Sequence, residues 1–124
     1  MKKQKTEYFP VMTLRENLRL DAVAASQKLS RSVARLTSCE LQPCTEYAEE
    51  VTYQRQLTQS LFYLQNCRNA LEQCMETGAT ALRYRWPDGT VSRTSFRLAG
   101  PNRIRVTGLL CPGGFCEGKK QGGS

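Results

Sequence analysis

Arginines and large apolar residues alternate position by position through residues 82–108, in the stretch LRYRWPDGTVSRTSFRLAGPNRIRVTG. Alternate residues of a β-strand point to opposite faces of a sheet, so a period of two predicts strands with one apolar face and one basic face. The apolar residues mostly carry even numbers. The arginines all carry odd numbers: Arg83, Arg85, Arg93, Arg97, Arg103 and Arg105.

Two turn sequences divide this region into three strands. PDGT follows the first alternating run, and AGPN separates VSRTSFRL from RIRVTGLL. Proline and glycine stand where tight turns need them, and consecutive strands with short links predict an antiparallel meander over residues 79–110. Val91 has an odd number although it is apolar, which predicts a β-bulge beside the first turn.

A helical period governs the chain before Gly78. Thr13 and Glu16 form a capping box, which predicts that a first helix starts there. Thr45, after the break at Pro43, is predicted to cap a second helix that ends at Gly78. The first helix has apolar residues at steps of three and four on one face: Leu14, Leu18, Ala22, Ala25, Leu29, Val33 and Leu36. The second has Tyr47, Val51, Leu57, Leu61, Leu64, Cys67, Leu71 and Cys74.

The second helix is long for a chain of 14.0 kDa. Its roughly 32 residues span ~48 Å at 1.5 Å per residue, which exceeds the expected width of a compact domain of this size. Its apolar surface is also broad where four apolar residues follow one another at positions 61–64. We therefore predict a homodimer, with Leu61, Phe62 and Leu64 as candidate contacts.

These patterns predict one α+β domain over residues 1–124, made of a long antiparallel helical hairpin followed by a three-stranded antiparallel β-meander packed on it. A flexible basic arm is expected at 1–11, the hairpin at 12–78, the meander at 79–110 and a Cys/Gly-rich tail at 111–124. No apolar run approaches the ~20 residues that cross a bilayer, and no signal peptide is evident. We expect a protein that avoids membranes and works in the cytoplasm, or in the host cytoplasm if it is viral.

The six cysteines form three sequence pairs. Without a secretion signal, disulfides are not expected, and Cys67 and Cys74 are predicted to be small buried apolar residues of the second helix. CPGGFC could instead present Cys111 and Cys116 to a structural zinc ion. Its spacing is loose for a zinc knuckle and the chain has no histidine, so thiols that only pack remain the alternative. No other cofactor is expected.

The positive charge is concentrated in the predicted sheet. Six arginines and one aspartate give residues 80–110 a net charge of +5, out of +7 for the whole chain. The chain has no histidine to act as a base and no glycine-rich phosphate loop that opens a helix, so we do not expect an enzyme.

Two functions fit a sheet face of six arginines. The first is a nucleic-acid-binding accessory or regulatory protein whose arginines grip the phosphates of DNA or RNA. The second is a phage- or mobile-element-encoded inhibitor, anti-CRISPR-like in its behaviour, whose arginines occupy an acidic or nucleic-acid-handling surface of a host nucleic-acid-processing complex. In the alternative, the arginines bind no ligand: their aliphatic stems cover the sheet while their charged heads stay solvated.

Overall fold

A computed structural model of the protein describes residues 5–37 and 45–110. Within these ranges it has two helices and one four-stranded antiparallel sheet, which confirms the α+β class. The strands lie in the order β1-β4-β3-β2. The elements are β1 (Thr6–Pro10), α1 (Val11–Thr37), α2 (Thr45–Thr77), β2 (Ala79–Arg85), β3 (Val91–Gly100) and β4 (Arg103–Thr107).

The fourth strand, β1, corrects the prediction of a flexible arm over residues 1–11 and of a three-stranded sheet. Residues 6–10 pair antiparallel with β4, and Phe9 lies opposite Ile104. The pairing packs Phe9 against the core and extends the sheet at one edge. A five-residue strand whose partner lies almost 100 residues away leaves little local signal in the sequence. Residues 1–4 lie outside the described ranges.

Helix α1 begins at Val11, so the predicted start at the Thr13 capping box is wrong. Its buried face also differs in part from the apolar face predicted from the sequence. Asp21 and Ser32 are fully buried, whereas Val33 is 42% exposed. The packed face is therefore set by the contact with α2 and includes two polar residues.

Helices α1 and α2 form the predicted antiparallel hairpin. Ion pairs cross it at both ends, from Arg15 to Glu72 (N–O distance 2.7 Å) and from Arg35 to Glu50 (3.2 Å). Helix α2 starts at Thr45 and has 33 residues, which corresponds to about 50 Å. It ends as predicted at Gly78, whose φ of 95° lies in the left-handed region that favours glycine.

The hydrophobic core lies between the helical hairpin and the inner face of the sheet. The sheet contributes Phe96, Ile104 and Val106, which pack with leucines from both helices. Cys67 and Cys74 are fully buried in this core, which confirms that they act as small apolar residues. Burial also raises the pKa of the Cys74 thiol, because the thiolate is poorly solvated there.

The strands β2, β3 and β4 form the predicted meander, with one correction. Val91 pairs in continuous register with Arg85, so no bulge lies there. The irregularity instead falls between Leu98 and Gly100 on β3, at the end that leads into the turn before β4.

Candidate nucleic-acid interface

The outer face of the sheet carries all six arginines of residues 82–108, and we call this surface the arginine face. The strands alternate between buried or half-buried residues with even numbers and exposed arginines with odd numbers. The predicted orientation of the strands is therefore confirmed. The exposed residues are Arg83, Arg85, Arg93, Arg97, Arg103 and Arg105.

Strand pairing sorts these arginines into two groups. Arg83 lies directly opposite Arg93 in the β2–β3 pair, and with Arg85 they form what we call the turn cluster. Arg97 lies directly opposite Arg105 in the β3–β4 pair, and with Arg103 they form the edge cluster. Arg93 and Arg97 are four residues apart on β3, so the clusters are separated by about 13 Å at 3.3 Å per residue.

A row of small residues runs across the sheet between the two clusters. Ala81, Ser95, Thr107 and Thr6 stand side by side on β2, β3, β4 and β1. The Thr6 and Thr107 hydroxyl oxygens are 3.1 Å apart and share a hydrogen bond. A shallow depression of about 430 Å³ includes part of this row and is bordered by Arg97 and Arg105 of the edge cluster. A ligand can therefore approach the sheet closely beside arginine side chains.

Tyr8 adds an aromatic ring to the edge cluster. It lies opposite Arg105 on β1 and is 51% exposed. The Arg103 guanidinium lies 5.6 Å from the centre of its ring, within the range of a cation–π contact. The sequence does not predict this residue as part of the site, because its basic N-terminal segment is typical of a flexible arm. The alternation of Tyr8 with half-buried Glu7 and Phe9 is the signal that could have revealed it.

Some arginines of the helices lie in ion pairs, whereas four arginines of the arginine face have none in the part of the chain that the structure describes. In the described part of the chain, no ion pair involves Arg83, Arg85, Arg97 or Arg105. Several helix arginines, in contrast, contact carboxylates. These contacts are Arg15–Glu72, Arg19–Glu16 and Arg35–Glu50.

Hydrogen bonds in the Arg15–Glu72 and Arg19–Glu16 pairs favour the charged form of both partners. The bond from Arg15 raises its own pKa and lowers the pKa of Glu72. Asp88, the one acid of residues 80–110, lies in the β2–β3 turn. Its carboxylate accepts hydrogen bonds from the Thr90 hydroxyl (2.7 Å) and amide (2.9 Å), which lower the pKa of Asp88. This acid is thus engaged within the turn.

Comparison of the chain with protein-family models, with curated proteins and with solved structures finds no match.

The three predicted dimer contacts differ in their exposure. Leu64 is 0% exposed within the core of a single chain, so its prediction as a dimer contact is wrong. The four consecutive apolar residues do not share one face, because a helix turns about 100° per residue. Phe62 is 56% exposed and Leu61 is half-buried, so both remain accessible on α2. The homodimer itself stays a prediction.

The metal prediction falls on Cys111 and Cys116, which lie outside the described residues. Within residues 5–37 and 45–110, no three histidine, cysteine or acidic side chains form a group that could hold a metal ion. The zinc site therefore stays a prediction. Among the same described residues, no helix has the length and apolar character needed to cross a membrane.

Proposed function

We propose that this protein is a non-enzymatic nucleic-acid-binding accessory or regulatory protein and that its arginine face contacts the phosphate backbone. The observation that carries the proposal is the collection of six exposed arginines on one face of the sheet, four of which have no ion pair among the described residues. Arg97 opposite Arg105 is the clearest example, because neither has an ion pair there.

Like charges directly opposite each other in a sheet are destabilising, and solubility needs only mixed polar residues. A bound polyanion would relieve this repulsion. Arginine also suits phosphate in its geometry, because its planar fork can donate two parallel hydrogen bonds to one phosphate group.

The spacing of the two clusters supports contact with an extended polyanion. Their separation of about 13 Å corresponds to the rise of about four nucleotides in one strand, at 3.4 Å each. The intervening row of Ala81, Ser95 and Thr107 carries no bulky side chain that would hold the backbone away. One strand of nucleic acid could therefore contact the turn cluster and the edge cluster together.

The test is to change Arg85, Arg97 and Arg105 together to glutamine and to measure binding by fluorescence anisotropy with labelled DNA and RNA. Wild-type affinity should fall linearly on a log–log plot between about 50 and 200 mM NaCl, because phosphate contacts release counterions. Losing three contacts should weaken binding and reduce the magnitude of that slope by about 2 to 3.

The matched control changes three helix arginines, Arg15, Arg19 and Arg31, to glutamine. It removes the same charge from another surface, so it should keep most of the wild-type affinity and slope. Undiminished binding by the sheet variant would overturn the proposal, as would a wild-type protein that binds poly-glutamate as tightly as nucleic acid. The latter result would instead favour an acidic protein surface as the partner.

A further inference from the structure

A second concave surface lies where α2 meets the β2–β3 turn. It is an open cleft of about 960 Å³. One wall is formed by α2 residues between Thr52 and Ser60, and the other by Trp86 and its neighbours in the turn. This volume is at the upper end of the range of small-molecule sites, which typically combine an aromatic wall with a few polar groups.

Trp86 is held firmly at the mouth of this cleft. Its indole N–H donates a hydrogen bond to the Ser92 hydroxyl at 2.8 Å. Its ring centre lies 4.8 Å from that of Tyr84 and 5.4 Å from that of Tyr63. Trp86 is nevertheless only half-buried, so part of its ring remains accessible. The ring is a rigid, partly exposed stacking surface whose N–H is already bonded within the protein.

Two glutamine side chains on α2 provide hydrogen-bonding groups beside this ring. The Tyr84 hydroxyl donates to Gln59 Oε1 at 2.8 Å, which orients the carboxamide and leaves its NH₂ group as a donor. Gln54 also lines the cleft, and its Oε1 is shielded from solvent without a hydrogen-bond partner in the described part of the chain. Because this oxygen is shielded, a ligand reaches it only after the Gln54 carboxamide rotates toward the cleft, where the oxygen gains the hydrogen bond that it lacks.

The charges around the cleft are few and of both signs. Arg55 and Asp88 line it, and the Asp88 carboxylate is occupied by Thr90. A flat ring with donors and acceptors on its edge matches this chemistry better than a compact anion does, because carboxamides recognise the edges of bases.

We infer that this cleft binds an unpaired nucleobase, stacked on Trp86 and hydrogen-bonded by Gln54 and Gln59, so that the nucleic acid is single-stranded. The inference rests on the proposed function of the arginine face. Arg85 of the turn cluster directly precedes Trp86, and β2 is an edge strand of the sheet. A single strand can therefore pass from the turn cluster around this edge to the cleft. In a duplex the bases are stacked inside and cannot reach it.

The experiment uses the full chain and two readouts. Anisotropy of a labelled mixed-sequence oligonucleotide, single-stranded or annealed to its complement, reports total binding. Tryptophan emission reports the surroundings of Trp86, because Trp86 is the only tryptophan in the sequence. We expect the single strand to bind about ten-fold more tightly than the duplex and to quench the emission of Trp86, since a stacked base contributes about that factor.

Two variants separate the cleft from the arginine face. Trp86→Ala should weaken single-strand binding about ten-fold and leave duplex binding unchanged. Gln54→Ala, which spares the aromatic cluster, should weaken single-strand binding in the same direction if Trp86→Ala does not fold. Tyr47→Ala is the matched control, because it removes an exposed aromatic residue of α2 that does not line the cleft.

The outcomes distinguish the two hypotheses. The cleft inference would be overturned if a single strand bound without changing the emission of Trp86 and if both cleft variants bound it as tightly as the wild type. The proposal for the arginine face would not be affected by that result. Equal or tighter binding of the duplex would also overturn the cleft inference. Failure of the wild-type protein to bind any nucleic acid would overturn both.

Discussion

Replacing Arg97 by threonine should stabilise the fold and weaken anion binding at the same time. Arg97 stands directly opposite Arg105 in the β3–β4 pair, and both are exposed on the arginine face. The substitution removes this like-charge contact and introduces a residue that favours strands.

The expected gain in stability follows from the strand register, which sets the distance between the two arginines. Side chains directly opposite each other start about 5 Å apart at their Cβ atoms, and flexible arginines can separate their charges to about 8 Å. Two charges at that distance repel by about 0.5 kcal/mol in water, and by about 1 kcal/mol at half that dielectric constant. For a domain of this size, the gain corresponds to an increase of about 2–4 °C in Tm.

The assay is urea unfolding followed by circular dichroism, at about 20 mM and about 1 M NaCl. Salt at the higher concentration shortens the Debye length to about 3 Å, so the electrostatic gain should disappear there. Arg85→Thr is the matched control because Arg85 lies on the same face opposite Val91 instead of a second arginine. Equal effects of the two substitutions, or a difference between them that salt does not change, would refute this reasoning.

Three further predictions concern the core. Thr94→Val removes the hydroxyl that shares a hydrogen bond with Tyr63 and donates one to the Gly108 carbonyl. It should lower the free energy of unfolding by about 1–3 kcal/mol, and an unchanged urea midpoint would contradict this. Leu64→Ala should cost about 2–5 kcal/mol and Phe62→Ala less than about 0.5 kcal/mol, because only Leu64 is fully buried; similar losses in urea unfolding would be inconsistent with their positions. Cys67 and Cys74 should resist alkylation in the native protein, as peptide mass spectrometry would measure, and rapid labelling of either would show that the core opens there.

The sequence alone determined those features that depend on neighbouring residues along the chain. The alternation from Leu82 to Val106 assigned the arginines to the exposed face of the sheet, because the direction of each side chain in a strand follows from its position. The end of α2 before Gly78 was likewise predictable, since a left-handed backbone at a helix end favours glycine locally.

Tertiary structure decided which segments became neighbours. Tyr8 reached the edge cluster only because β1 pairs with β4, far away in the sequence, and a short strand is stable only when it finds such a partner. Leu64 entered the core, and Phe62 stayed exposed, because the direction in which α2 packs selects one part of a broad apolar surface.

The cleft was equally inaccessible to sequence reasoning. Trp86 and Gln54 belong to different elements, and only the packing of α2 on the sheet places both beside one space. The pairing of Arg97 with Arg105 likewise depends on the strand register, which the turn and the core set together. Periodicity therefore established which side chains face outward, whereas long-range packing established which of them lie together.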